Sequence, residues 1–266
     1  MTGTGPIPGL NPRVPTAARV YDYMLGGKDN FAADRELAEQ LIANAPESPW
    51  IARQNRAFLG RAVRYCAEHG IRQFLDLGSG LPTQENVHEV AQRVDPSSRV
   101  VYVDNDPMAV LHARALLANG AGVVAVDGDL RRPAEIIAND EVRRLIDFSR
   151  PTAVLIVSIF HFTPDSEDPA GIVAQYVDAM APGSYLVLSH ATHDVKPDKA
   201  SKARDLYRRA ASPMITRSKA AVGALFGDLE LVDPGLVFTA EWRPYDEVPE
   251  PETSGLYAGV ARKPGR

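Results

Sequence analysis

The residues best equipped for chemistry fall in four short clusters. In the first, Gly78-Ser79-Gly80 follows the apolar run 74–77, which holds Asp76. Glycines at this spacing let the backbone turn sharply and approach a ligand closely, just beyond the carboxyl end of a strand. In the second, the apolar run 100–103 leads into Asp104-Asn105. An acidic side chain there is placed to accept hydrogen bonds from ribose hydroxyls. Helix capping is the competing role for Asp104. However, Asp106 stands directly before Pro107 and is the better cap, which leaves Asp104 available. Together the two clusters point to a ligand that contains adenosine.

The loop narrows the choice of ligand. A dinucleotide fingerprint needs a third glycine three positions after the second, where a helix packs close to a pyrophosphate. Here Pro82-Thr83 occupies that stretch, and no Gly-Lys-Ser/Thr follows a glycine-rich turn. S-adenosylmethionine has a ribose diol, an adenine and a zwitterionic methionine tail but no pyrophosphate, and it fits better than NAD or FAD. The carboxylate of such a tail would suit a guanidinium from Arg53 or Arg56. A solvated helix face is the alternative for both, and the favoured one for Arg56.

The third cluster, 158–165, follows the apolar run 153–157 and contains Ser158, Phe160, His161 and Phe162. At the carboxyl edge of a sheet His161 would face the reacting atoms. It is the first candidate for a general base, with Phe160 and Phe162 as apolar walls. The fourth cluster, 189–194, follows the run 185–188 and offers His190 and His193 as further contacts to a substrate. Their spacing with Asp194 supports a metal site only weakly, and none is assigned.

These clusters need a scaffold. Five short apolar runs (74–77, 100–103, 123–126, 153–157 and 185–188) alternate with helical patterns, which means βαβ units and a parallel sheet. The runs are continuously apolar, so helices should cover both faces. Pro107 and Pro169, each behind an Asp, mark two helix starts, and Ser48-Pro49 marks a third. After two further helical segments (198–211 and 216–226), strand-like stretches at 229–232 and 256–262 lack a helix between them and suggest an antiparallel edge pair. The first 70 residues are helical, apart from a Gly/Pro-rich stretch over 1–14 that reads as a flexible arm. Within them Ala17, Val20, Tyr21, Met24 and Leu25 form one apolar stripe, ended by Gly26-Gly27.

Asp76 to Gly80, Asp104 and Asp127-Gly128-Asp129 together resemble motifs of the class I S-adenosylmethionine-dependent methyltransferases. The segments 18–31, 78–83 and 160–165 resemble, more narrowly, an actinobacterial methyltransferase group of unknown substrate. The resemblance implies a Rossmann-like, seven-stranded, mostly parallel sheet with an antiparallel last strand. It also implies that Gly128, Asp129 and Leu130 meet the adenine. Tyr21, Pro82, Asn105 and Ser158 join the expected cofactor contacts. So do Gly26 and Gly27, whose turn, with polar Lys28, Asp29 and Asn30 after it, would close over the cofactor or the substrate.

Charge and composition set outer limits. The chain has 266 residues, 29 Lys and Arg against 34 Asp and Glu, and a net charge of −5. That is the wrong sign for neutralising many phosphates, so nucleic acid is not an expected partner. The single Cys66 can form neither an internal disulfide nor a thiolate metal site, and packing is its expected role. No signal peptide or membrane-spanning run is evident, which makes the cytoplasm the expected location. The expected organisation is an arm over 1–14, a helical cap over 15–70 and a Rossmann-like core over 71–266, the cap and core forming one domain. The expected activity is methyl transfer from S-adenosylmethionine to a small molecule, on oxygen before nitrogen. A cofactor-binding protein without catalysis and an NAD-dependent oxidoreductase are the alternatives.

Overall fold

The computed structural model describes residues 9–82, 85–117 and 122–265. The five apolar runs form β1 (Gln73–Leu77), β2 (Arg99–Asp104), β3 (Val123–Asp127), β4 (Ala153–Val157) and β5 (Tyr185–Ala191). All five pair in parallel. The edge comprises β6 (Glu230–Leu231), β7 (Val237–Phe238) and β8 (Leu256–Arg262). β8 runs antiparallel to β5, and both β6 and β7 pair antiparallel with β8. The order is β3-β2-β1-β4-β5-β8-β6, with β7 also on β8. The expected seven strands are thus joined by an eighth of two residues. The order reverses at β1, between β2 and β4, and this opens a crevice beyond the strands' carboxyl ends.

Successive strand side chains point to opposite faces, and both faces are covered. On one side α3 (Ser48–Glu68), α4 (Val87–Val94) and α5 (Pro107–Leu117) bury Phe58, Cys66, Val90 and Ala113 against Phe74, Val100 and Leu155. On the other, α6 (Pro133–Ala138), α7 (Asp140–Leu145), α8 (Pro169–Ala179) and α10 (Lys219–Ala224) pack Ile136, Val142, Ile172 and Val222 on Leu75, Val101 and Val154. Asp168 caps α8 through a bond from the Gly171 N–H, as its place before Pro169 implies. Ser48 does not cap α3. It is the first helical residue, after Glu47, and its hydroxyl donates to the Ala45 carbonyl instead.

The cap boundary also moves. α3 belongs to the sheet layer, because its apolar side chains have a strand face to cover. Only α1 (Ala17–Met24) and α2 (Ala32–Asn44) stand over the strand ends, and there they meet α9 (Pro197–Tyr207). Val20, Leu37, Ala38 and Leu41 pack with Tyr207 in a separate apolar cluster. The lid is therefore shared between the N-terminal helices and a helix that follows β5.

A buried cation ties this lid to the sheet. Arg19 on α1 is 1% exposed, with its Nε 2.9 Å from Asp34 of α2 and its Nη1 3.3 Å from Asp106 before α5. Its Nη2 donates to the carbonyls of Val14 and Asn11, and its guanidinium lies over the Phe31 ring. Leu10 packs beside Leu81, Met108 and Ala109. Residues 9–14 of the expected arm are therefore fastened to the core, while 1–8 lie outside the described residues. Removing one member of a buried ion cluster leaves its partners uncompensated, at a cost of about 3–5 kcal/mol. Arg19→Met should lower the melting temperature by roughly 10 °C, measured by circular dichroism.

Candidate active site

The glycine loop is built onto the end of β2. Gly78 and Gly80 have φ of +70° and +67°, a region that favours glycine. The N–H groups of Gly78 and Ser79 both donate to the Val103 carbonyl. A Cβ on Gly78 would come within 2.5 Å of Ile159, so the loop after β4 packs directly on this turn. Asp104 is not left free as its neighbours in sequence suggest. It accepts the Gly80 N–H at 2.7 Å and the Asp106 N–H at 2.8 Å, so it fixes the loop from below. Asp106 does cap α5, accepting the Met108 N–H at 2.9 Å. Burial pushes the Asp104 carboxyl up to about 6.

A cavity of about 450 Å³ opens above this loop. That volume is within the usual range for small-molecule and cofactor sites. Asp76, Gly78, Ser79, Gly80, Asp104, Asn105, Gly128, Asp129, Leu130, Ser158 and Tyr21 all line it, as do His161 and Phe162. Asp76 is buried, its carboxylate makes no hydrogen bond among the described residues, and burial lifts that carboxyl to about 7. Arg56 also lines the cavity, with its Nε buried and unpartnered, whereas Arg53 is exposed outside it. The solvated face favoured for Arg56 therefore belongs to Arg53. An unpaired carboxylate and a guanidinium that borders the same cavity, its Nη2 held by the Glu85 carbonyl and the Asn86 side chain, suit the ammonium and carboxylate of an amino acid.

Several expected contacts lie elsewhere. Pro82 lines only a small separate cavity beneath the loop, and Thr83 lies outside the described residues. Gly26 and Gly27 line neither the cavity above the loop nor the small one beneath it. Gly26 takes φ +83° beyond α1, and a Cβ on Gly27 would collide with the Asp22 carboxylate. That carboxylate accepts the Asp29 N–H and the Asn30 side-chain amide, so the polar turn is consumed by Asp22 rather than offered to a ligand. Phe160 is wholly buried in the core and walls no cavity.

The histidines also differ from expectation. His190 is fully buried. Its Nδ1–H donates to the Ala191 carbonyl, and its Nε2 accepts from Arg217 at 2.6 Å. His193 bonds through Nδ1 to Thr216 and lines neither main cavity. His161 alone reaches the site. The Ala191 N–H donates to its Nδ1 at 3.4 Å, so the neutral ring carries its proton on Nε2. Burial, with the neighbouring His190 and Arg217, holds its pKa well below the usual value. His161 is therefore a neutral N–H donor, and the base role expected of it is withdrawn.

Three residues with weak sequence signals shape the site. Arg217, from the segment before α10, donates to the carbonyls of Phe160 and Thr163, to His190 and to Asp165. It clamps the loop 158–165 onto β5 from more than 50 residues away, and no local pattern announces that. Tyr207 and Asn55 belong to the common wall of two cavities. The second, about 180 Å³ and mostly apolar, shares Tyr21, Asn55, Ser158, His161 and Tyr207 with the first. Ser158 takes φ +58°, a left-handed conformation that costs a non-glycine residue roughly 1–2 kcal/mol, at this wall. Its N–H donates to the Ser189 hydroxyl, which in turn donates to Asn55.

Arg217→Met keeps the bulk of the side chain and strands two buried acceptors, the Thr163 carbonyl and the His190 Nε2, each worth about 1–3 kcal/mol. It should lower the melting temperature and speed amide exchange in residues 158–165 ahead of the sheet. Uniform exchange across both would show that the clamp does not hold the loop.

Comparison with known proteins gives this geometry its context. A family model described as S-adenosyl methyltransferase matches residues 6–264. A crystal structure of a candidate methyltransferase from Thermobifida fusca is 44% identical, with a TM-score of 0.92 over 98% of this chain and 100% of that one. A DUF574 family protein from Streptomyces avermitilis is 39% identical, with a TM-score of 0.91 over 94% and 98% of the two chains. An ornithine lipid N-methyltransferase from Singulisphaera acidiphila is 32% identical over 93 residues, which span 35% of this chain and 44% of that protein. With nearly its whole length matched, the chain belongs to the S-adenosyl methyltransferase family and is an S-adenosylmethionine-dependent methyltransferase.

Proposed function

We propose that the enzyme methylates a small, largely apolar acceptor, on oxygen rather than nitrogen. The observation that carries this reading is the pair of cavities with a common wall. One, of mixed polar and apolar lining, is built on the glycine loop; the other is mostly apolar and lies under the lid. When bound, S-adenosylmethionine supplies a methyl group activated on a sulfonium sulfur. Asp76 would hold the cofactor's ammonium and Arg56 its carboxylate, while the lone pairs that Asp104 keeps would take the ribose hydroxyls. Gly128, Asp129 and Leu130 would border the adenine. The lid helices exclude water, and the wall aligns the acceptor, which is the main help that an in-line displacement needs. Nitrogen is the second reading, because the Singulisphaera acidiphila relative is named an N-methyltransferase.

Asp76 makes the cofactor assignment testable. The cofactor's ammonium needs the carboxylate charged, yet burial holds that group near 7 in the free protein. Acid below this point protonates it, and binding must then expel a proton. Affinity for S-adenosylhomocysteine should therefore fall about tenfold per pH unit below 7 and level off above it. Calorimetry from pH 5.5 to 8.5 reads this directly. Asp76→Asn should flatten the profile and weaken binding at pH 8 by roughly ten- to a hundredfold. An Asp76→Asn variant that keeps the break near pH 7 would move the ammonium site elsewhere, whereas a residual fall below about 6 belongs to Asp104.

Thermal shift separates ligand classes, since a ligand stabilises what it binds. S-adenosylhomocysteine should raise the melting temperature and NAD should not. Incubation with methyl-labelled cofactor and a metabolite extract then tests the bond formed. Label lost to mild alkali marks an ester, and label that resists marks an N-methyl group or an ether.

A further inference from the structure

The common wall of the two cavities carries two polar groups that no other residue uses. Tyr207 is 8% exposed, and its hydroxyl has no partner among the described residues. His161 is 5% exposed and presents a protonated Nε2 that is likewise unpartnered, because its Nδ1 takes the Ala191 N–H. Each lines both cavities. Apolar side chains, among them Met24, Leu41, Ile51 and Met214, form much of the remaining lining on the acceptor side.

We propose that the acceptor is a carboxylate on an apolar body, its oxygens held by the Tyr207 hydroxyl and the His161 Nε2–H. The inference rests on the methyl-transfer reading above and deepens it. A carboxylate has about four lone-pair sites, so two donors can hold it while another lone pair attacks. An amine has one lone pair, and a donor bound there blocks the attack. A phenol or alcohol brings a proton that must leave, and the wall has nothing to take it. Tyr21 donates to the Ala52 carbonyl and accepts from Asn55, so it is already engaged. Burial pushes the ionisation of both tyrosines up and that of His161 down, so all three stay neutral near pH 7.

Formal charge at the pocket is balanced: Lys196 and Lys199 bracket Glu47 at 2.8 and 3.0 Å, and Glu252 lines the same pocket, so selection for an anion rests on the two donors. The reaction balances without a proton. A carboxylate oxygen forms a bond to the methyl carbon with its own electron pair, and the methyl–sulfur bond breaks with its pair left on sulfur. One negative and one positive charge become a neutral ester and a neutral thioether.

Binding tests this without turnover. Protein saturated with S-adenosylhomocysteine is titrated by calorimetry at pH 7 with phenylacetate, phenylacetamide, 2-phenylethylamine and 2-phenylethanol. Phenylacetate should bind at least tenfold tighter than the other three. Tyr207→Phe should cut its affinity about tenfold, as should His161→Phe, while His161→Gln, which keeps an N–H, should retain most of it. Binding of S-adenosylhomocysteine by each variant shows that it is folded. Preference for the amine or the alcohol would overturn the proposal, as would phenylacetate binding unchanged in Tyr207→Phe or absent at millimolar concentration. If S-adenosylhomocysteine binds and the acid preference is missing, only this inference fails. If S-adenosylhomocysteine does not bind, the methyl-transfer reading fails with it.

Discussion

The structure depends on one buried charge. Arg19 stands where α1, α2 and the start of α5 converge, and its guanidinium satisfies Asp34, Asp106 and two carbonyls of the residues before α1. Water cannot screen it, so the ion pairs hold only if all these pieces are in place. Asp106 is also two residues from Asp104, whose carboxylate fixes Gly80. Lid and glycine loop are thus parts of one connected set of bonds. The ammonium of a lysine could not replace this fork, which reaches two carboxylates and the carbonyls together.

A second constraint links the two sides of the site. The loop after β4 packs Ile159 on Gly78 and is held to β5 by Arg217 through His190. Its strained Ser158 and its His161 then face both cavities. The imidazole that looked most reactive is pinned as a donor by a backbone N–H, and the imidazole beside it is spent on a structural arginine. Neither imidazole therefore has a free ring nitrogen to accept a proton at this wall.

Much of the fold was legible along the chain because its signals are local. Continuous apolar runs become doubly covered strands, and an Asp before a Pro becomes a helix start at Asp106 and Asp168. The glycine loop was legible for the same reason, since its left-handed turns are a property of the glycines themselves. The cap boundary was not. α3 has the amphipathic pattern of any surface helix, and only the presence of a sheet face decides that it belongs to a core layer. Gly26-Gly27 misled for a related reason. A glycine pair signals a special backbone, and here what needs that backbone is Asp22, four residues before Gly26.

The sequence by itself determined the parallel sheet, the glycine turn, the acidic end of β2 and the cofactor they suit, because each follows from residues adjacent in the chain. Tertiary structure alone decided which side chains share the cavity wall. Asn55 and Arg56 on α3 meet Tyr207 at the end of α9 across a long stretch of chain, and Arg217 braces the loop behind them, through contacts that no local pattern encodes. It also decided protonation. Whether His161 accepts or donates depends on one N–H from β5, and whether Asp76 is charged near neutrality depends on how much water the folded chain leaves around it.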